Sequence, residues 1–306
     1  MTPSIQSRVR AVALGAAIGD ALGMPLEFHV PSPEEDLLRE MIAGRLPAGS
    51  ITDDTEMALA LAESLIAYHP LDANDLARRF TDWFQRKPDD YGFQTAFMLR
   101  LIAGGMDWES AARKSRRDAP DSAGNGSIMR CWPVALAHSE DHDLLLADSE
   151  LQSLVTHPHP ECVAGCQFVN GMLHLMIHGA QPAEACERVM AAITIPEELR
   201  EVIEKAPRRK REELCNSGWV RHTLESVIWG LLNTQSFEDA LIQVINLGHD
   251  ADTAGSVVGA LAGAAYGMEG IPQRWQDALN AEWPIHSGKF LRAADFIKIA
   301  DQLTTL

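Results

Sequence analysis

The sequence predicts an all-α protein, and three observations carry that reading. Apolar residues recur at three- and four-residue spacing along most of the chain. Long runs of alternating β-branched residues are absent, and aromatic residues make up only 6% of the 306 positions. A hydrophobic content of 46% is enough to bury a full core and excludes a disordered chain.

In chain order, the first helix is an apolar, Gly-bearing stretch in which Gly15, Gly19 and Gly23 stand four apart. Helical periodicity follows over 56–68, where Met57, Leu61, Leu65 and Tyr68 share a face. It returns over 73–84, 95–103, 163–178, 183–192, 223–232 and 237–245. Asp72, Ser110 and Ser236 are placed to cap orphan N–H groups at helix starts. A second stripe of glycines, Gly255, Gly259, Gly263 and Gly267, marks a late helix.

An interior helical Gly costs roughly 1 kcal/mol relative to Ala, so an unopposed stripe would be wasteful. Stripes at this spacing let backbones approach closely, and the two glycine helices are expected to pack against each other, antiparallel. That arrangement would bring Glu27 beside the start of the second helix. Polar, Gly/Pro-bearing segments near 28–51, 86–94, 116–130, 156–161 and 207–218 are too short for interdomain linkers, so a single domain over 1–306 is expected.

Lys plus Arg number 26 against 43 Asp plus Glu, a formal charge of −17. That balance argues against a dedicated nucleic-acid binder, which needs clustered cations facing phosphates. It leaves room for a phosphate-bearing small ligand held locally. Five irregularly spaced cysteines fit a reducing compartment better than a disulfide framework. The apolar N-terminal stretch is broken by Gly and meets Asp20, so neither a signal sequence nor a membrane span is expected. A soluble, cytoplasmic monomer is the expectation.

The chemistry concentrates where acidic residues precede helices: Thr52-Asp53-Asp54-Thr55-Glu56, and Gly248-His249-Asp250-Ala251-Asp252-Thr253. Capping explains part of this, with Asp53 and Glu56 as a capping box and Asp252 as an N-cap. A cap needs one acceptor oxygen, however, and paired carboxylates repel each other. With Glu27 drawn near, about five carboxylates would crowd together, which raises their pKa values or recruits cations. All-oxygen donors with Thr hydroxyls suit Mg²⁺ or Mn²⁺ rather than zinc.

Other segments are weaker signals. Gly124-Asn125-Gly126-Ser127, followed by Arg130, is a Gly-rich turn suited to holding phosphate. Asp89 and Asp90 occupy a turn-forming loop in which a carboxylate can act as acid or base. Thr156-His157-Pro158-His159-Pro160-Glu161, with Cys162 and Cys166 beyond, matches no tetrahedral zinc signature, and His157 is better placed to touch a ligand. The basic run 205–211 reads as a solvated surface loop.

Taken together, GAAIGDALGMPLEF at 15–28, SITDDTE at 50–56, DYGFQT at 90–95, GNGSIMR at 124–130, THPHPE at 156–161, GWVRHTLESVIW at 218–229 and GHDADTAGSVVGALAG at 248–263 resemble the ADP-ribosylglycohydrolase family. The resemblance covers nearly the whole chain. It implies an orthogonal multi-helix bundle around two divalent cations, Mg²⁺ or Mn²⁺. It also implies that Thr52, Asp53, Asp54, Asp250, Asp252 and Thr253 bind the ions. Glu27 and Asp90 become the catalytic candidates, and Gly124, Asn125, Gly126, Ser127 and His157 hold ADP-ribose.

The expected reaction is cleavage of the glycosidic bond between ADP-ribose and an acceptor, such as an arginine side chain of a modified protein. Two alternatives stand beside it: a hydrolase of a small ADP-ribosylated metabolite or modified nucleobase, and a non-catalytic ADP-ribose binder. Two positions depart from the family pattern. His249 stands where relatives often carry Gly, and Tyr91-Gly92-Phe93 is bulkier than a small polar version.

Overall fold

The computed structural model describes residues 2–306, 65% of the chain being helical. The helices are α1 (Ile5–Gly23), α2 (Asp53–Ala67), α3 (Ala73–Gln85), α4 (Phe93–Ala103), α5 (Trp108–Asp118), α6 (Trp132–Ala137), α7 (His142–Leu154) and α8 (Pro160–Ile177). They continue with α9 (Pro182–Ala192), α10 (Glu197–Lys205), α11 (Val220–Asn233), α12 (Phe237–Ile245), α13 (Ala251–Tyr266), α14 (Gln273–Ala278) and α15 (Ala293–Leu303). The all-α prediction holds. Helices α6, α7, α10, α14 and α15 lie outside the segments that periodicity marks; in α6 and α14, six residues give too few turns for a repeat to show. A two-residue antiparallel pairing, Ala281–Glu282 with Phe290–Leu291, is likewise below what alternation can signal.

The glycine helices form the axis of the molecule. A Cβ on Gly15 would run into the carbonyl oxygen of Gly259, one on Gly19 into that of Gly255, and one on Gly23 into that of Ala251. Gly263 meets Ala11 in the same way. Residue numbers falling on α1 as they rise on α13 make the pair antiparallel, as expected. Gly267 departs from the stripe: it ends α13 at φ +68°, a left-handed conformation natural to Gly. Helices α8, α11 and α12 pack on α13, and α15 on α1.

Sequence and environment diverge for α1. Ile5–Leu26 is long and apolar enough to cross a membrane, contrary to expectation, with a mean hydropathy of 1.4. Yet 89% of that window is buried inside the fold, which is where its hydrophobicity goes. The helix caps also need correction. Asp72 and Ser236 cap α3 and α12 as expected, but the cap of α5 is Asp107, whose Oδ1 accepts from the Ser110 N–H at 2.8 Å.

Candidate active site

The two acidic helix starts are brought together by the α1–α13 contact. Gly23 sits on Ala251, so the chain leaving α1 carries Glu27 directly past the first turn of α13. At α2 the expected capping box does not form. Thr52 is the N-cap and makes no side-chain cap. Instead the orphan amides of Thr52 and Thr55 donate to Asp20 of α1 at 3.1 and 3.2 Å, and both hydroxyls donate to it as well. Burial pushes the Asp20 carboxyl up to about 6, even against these four donors.

Because Asp20 does the capping, Asp53 and Asp54 are free to face outward. At α13 the N-cap is Asp250 rather than Asp252. Its amide donates to the Asn216 carbonyl at 2.9 Å, and its Oδ2 accepts from Asn125 Nδ2 at 2.7 Å.

These groups open into one cleft of about 810 Å³, whose lining includes Glu27, Asp53, Asp54, Asp90, Asp250, Asp252 and Thr253. Gly124, Asn125, Gly126 and His157 form the facing wall. Thr52 and Ser127 lie behind the surface. Thr52 Oγ1 is 2.9 Å from Asp20 and 3.1 Å from Asp54, and Ser127 Oγ accepts from Ser153 Oγ at 2.9 Å. Phe93 stands 97% exposed at the rim, and Tyr91 leans edge-on against Phe84 with ring centroids 5.2 Å apart.

The electrostatics call for a cation. Asp53, Asp54 and Asp252 are pushed well above the ordinary carboxylate range, first by burial and then by neighbouring carboxylates. Asp250 is raised too, again by burial, although Asn125 and Thr253 hydrogen bonds counter it. Asp54 Oδ1 is buried without any hydrogen-bond partner, an orphan acceptor among like charges. An oxygen-ligated hard cation would satisfy that atom and relieve the repulsion, so the donor set fits a divalent metal. Glu27, Asp90 and Asp252 also each offer an oxygen within 4.8 Å of the others.

Arg45 escaped the sequence reading. From the loop between Glu27 and α2 it meets the carboxylates at the edge of the cleft. Its Nη2 donates to Glu27 Oε2 at 2.5 Å and Asp90 Oδ2 at 2.7 Å, and lies 3.5 Å from Asp252 Oδ2. Burial drives the Glu27 carboxyl up to about 7, while the Asp252 hydrogen bond and the Arg45 charge pull it back. A lone Arg in an irregular loop carries no local signal of such a role.

The Gly-rich turn is organised differently from expectation. Asn125 spends its amide on Gly218 C=O at 3.0 Å and its side chain on Asp250 and Thr223, so it orients a carboxylate. Arg130 is not a phosphate donor. Its guanidinium is fully buried, donates to Gly126 C=O, Gln152 C=O and Thr156 Oγ1, and lies over the Phe80 ring at 4.5 Å. Thr156 Oγ1, already accepting from Arg130, lies in hydrogen-bond contact with His157 Nδ1 at 2.8 Å. Burial and the Arg130 charge hold His157 well below its ordinary pKa, so the ring is neutral, with its Nε2 edge against the Gly124–Gly126 wall.

Outside the cleft, His159 caps α8 and Cys162 Sγ donates to Gly124 C=O, so no zinc cluster forms among these described residues. The basic run is tied down rather than solvated throughout. Arg209 pairs with Glu225 at 2.7 Å, and Arg211 donates to Asn246 C=O at 2.7 Å. His249 takes φ +55°, a left-handed conformation that costs a non-Gly residue roughly 1–2 kcal/mol, which explains Gly as the natural alternative there. Its amide and carbonyl pair with His29 and Phe28, fixing the segment after Glu27 to the start of α13.

Comparison with known proteins agrees with this geometry. The chain is 34% identical to ADP-ribosylarginine hydrolase Tri1 of Serratia proteamaculans over 287 residues, covering 89% of this chain and 75% of the relative. It is 35% identical to the ADP-ribosyl-[dinitrogen reductase] glycohydrolase of Rhodospirillum rubrum, covering 91% and 92%. A solved structure described as an ADP-ribosylglycohydrolase-related protein complex superposes with a TM-score of 0.81 at 32% identity, covering 99% and 98% of the two chains. The ADP-ribosylglycohydrolase family model matches residues 1–306, and the chain belongs to that family.

Proposed function

We propose that this chain hydrolyses the bond between C1 of the ribose in ADP-ribose and a protein arginine side chain, with the help of two divalent cations, Mg²⁺ or Mn²⁺. The observation that carries the reading is the meeting of Asp53 and Asp54 with Asp250 and Asp252 around an unsatisfied buried oxygen, beside Glu27 and Asp90. The names of the 34% and 35% identical relatives, one acting on ADP-ribosylarginine, support the choice of acceptor.

Thr52, Asp53, Asp54, Asp250, Asp252 and Thr253 would hold the ions, which when bound supply Lewis-acid stabilisation and ribose orientation. Asn125 keeps Asp250 in place. His157, neutral and with its Nε2 edge turned to the Gly-rich wall, hydrogen-bonds a ribose or diphosphate oxygen, and amides of the turn flanking Asn125 donate to it. The reaction adds water across the C1–N bond: the water oxygen bonds to C1, and the guanidine nitrogen leaves with a proton. Glu27 and Asp90 are the carboxyls positioned to take the proton from water and to supply one to the departing nitrogen.

The test presents ADP-ribose linked to arginine, serine or a nucleobase and measures ADP-ribose release. Release is expected from the arginine conjugate, and Asp90→Asn is expected to slow it by about 100-fold or more. Release from the nucleobase conjugate alone would move the chain to small-molecule hydrolysis. Tight ADP-ribose binding without any release would make it a binding protein.

A further inference from the structure

We propose that Glu27 and Asp90 form a subsite for the guanidinium of the leaving group, and that Arg45 occupies this subsite with its own guanidinium until substrate displaces it. The inference rests on the arginine reading above and names the group that gives the site its selectivity. No Lys or Arg lies among the described residues lining the cleft, so the cation in contact with these carboxylates is brought in by a strap. Arg45 Nε and Nη2 both donate to Glu27 Oε2, and Nη2 also reaches Asp90 Oδ2, so two nitrogens of one guanidinium bridge the two carboxylates, a reach that a guanidinium has and a compact ammonium lacks.

The strap itself is anchored on both sides of Arg45. Arg39 C=O accepts from Trp275 Nε1 at 3.0 Å, Gly49 C=O accepts from the Asn280 amide at 2.8 Å, and Gly44 packs on Pro25. The Arg45 side chain, 27% exposed, is therefore the part that can swing out without moving the fold. A substrate guanidinium in its place would put the departing nitrogen within reach of both candidate proton-exchanging carboxyls.

The experiment titrates methylguanidinium into wild type and Arg45→Ala by calorimetry in Mg²⁺-containing buffer, with methylammonium as the point-charge control. Arg45→Ala is expected to bind methylguanidinium at least tenfold more tightly than wild type does, and tenfold more tightly than it binds methylammonium. Adding Asp90→Asn should abolish the gain. In kinetics, Arg45→Ala should lower the ratio of KM for ADP-ribosylarginine to KM for ADP-ribosylserine, which has a neutral leaving group, several-fold.

Equal methylguanidinium binding by wild type and Arg45→Ala, or equal binding of the two cations, overturns the subsite. If ADP-ribosylarginine is nonetheless hydrolysed, only the subsite fails. If methylguanidinium binds as expected but ADP-ribosylarginine resists every form of the enzyme, the subsite stands and the proposed reaction fails.

Discussion

At the scale of single residues, the carboxylates of this protein fall into two groups with opposite physics. Glu27, Asp53, Asp54, Asp250 and Asp252 in the cleft are raised because burial and like charges outweigh their donors. Asp75 is the counter-case. Burial pushes its carboxyl up, but hydrogen bonds from Arg79, Arg78 and Ser64 win and hold it below the ordinary 3.8. A depressed folded-state value contributes stability that is present above pH 3.8 and is lost as pH falls through the folded value. Asp75→Asn should therefore cost about 1–3 kcal/mol at pH 7. The gap from wild type should narrow as pH falls from 7 to below 3.8, as followed by urea denaturation across that range. A gap of constant size would mean that the packing of α2 on α3, not the charge, carries the effect. Asp20 and Arg45 show why some single residues stay hidden in sequence. Asp20 caps a helix 32 positions away, and Arg45 meets an aspartate 207 positions away, so neither has a partner within any local window.

At the scale of elements, the glycine spacing was the most legible feature and the most consequential. Its period predicts the antiparallel α1–α13 contact, and that contact, with the His249 pairing to Phe28 and His29, delivers Glu27 to Asp252. Capping was less legible, because Asp53, Glu56 and Asp252 satisfy the pattern of local caps, while Thr52 and Asp250 hold the N-cap positions without side-chain caps and the α2 amides donate to Asp20. A propensity rule weighs only neighbours along the chain, whereas a helix start at a site answers to whatever the fold brings against it. Gly19→Ala tests the contact. Backbone atoms of α13 cannot yield as a flexible side chain would, so the added methyl should cost about 3 kcal/mol or more despite Ala's better helix propensity. Gly92→Ala, with open space around its would-be Cβ, should leave the thermal midpoint almost unchanged. Equal midpoints for Gly19→Ala and wild type would show that the two helices are not held by backbone contact.

At the scale of the whole molecule, an acidic chain concentrates its most costly charges at the floor of one cleft, where the described structure pairs them with a single guanidinium. The motifs made the participants legible: every residue expected at the site lies in or directly behind the cleft wall. What the motifs could not carry was the division of labour, in which Asn125 orients Asp250, Arg130 is a buried strut, and His157 is held by Thr156. The central claim is that these convergent carboxylates work by holding divalent cations. Its most direct measurement is the rate of ADP-ribose release from ADP-ribosylarginine by protein stripped with EDTA and then titrated with Mg²⁺ or Mn²⁺, beside Asp252→Asn at matched thermal stability. The account predicts no release in EDTA, saturable recovery with added cation, and little recovery for Asp252→Asn. Full-rate release in EDTA, or an Asp252→Asn variant as fast as wild type, would contradict it.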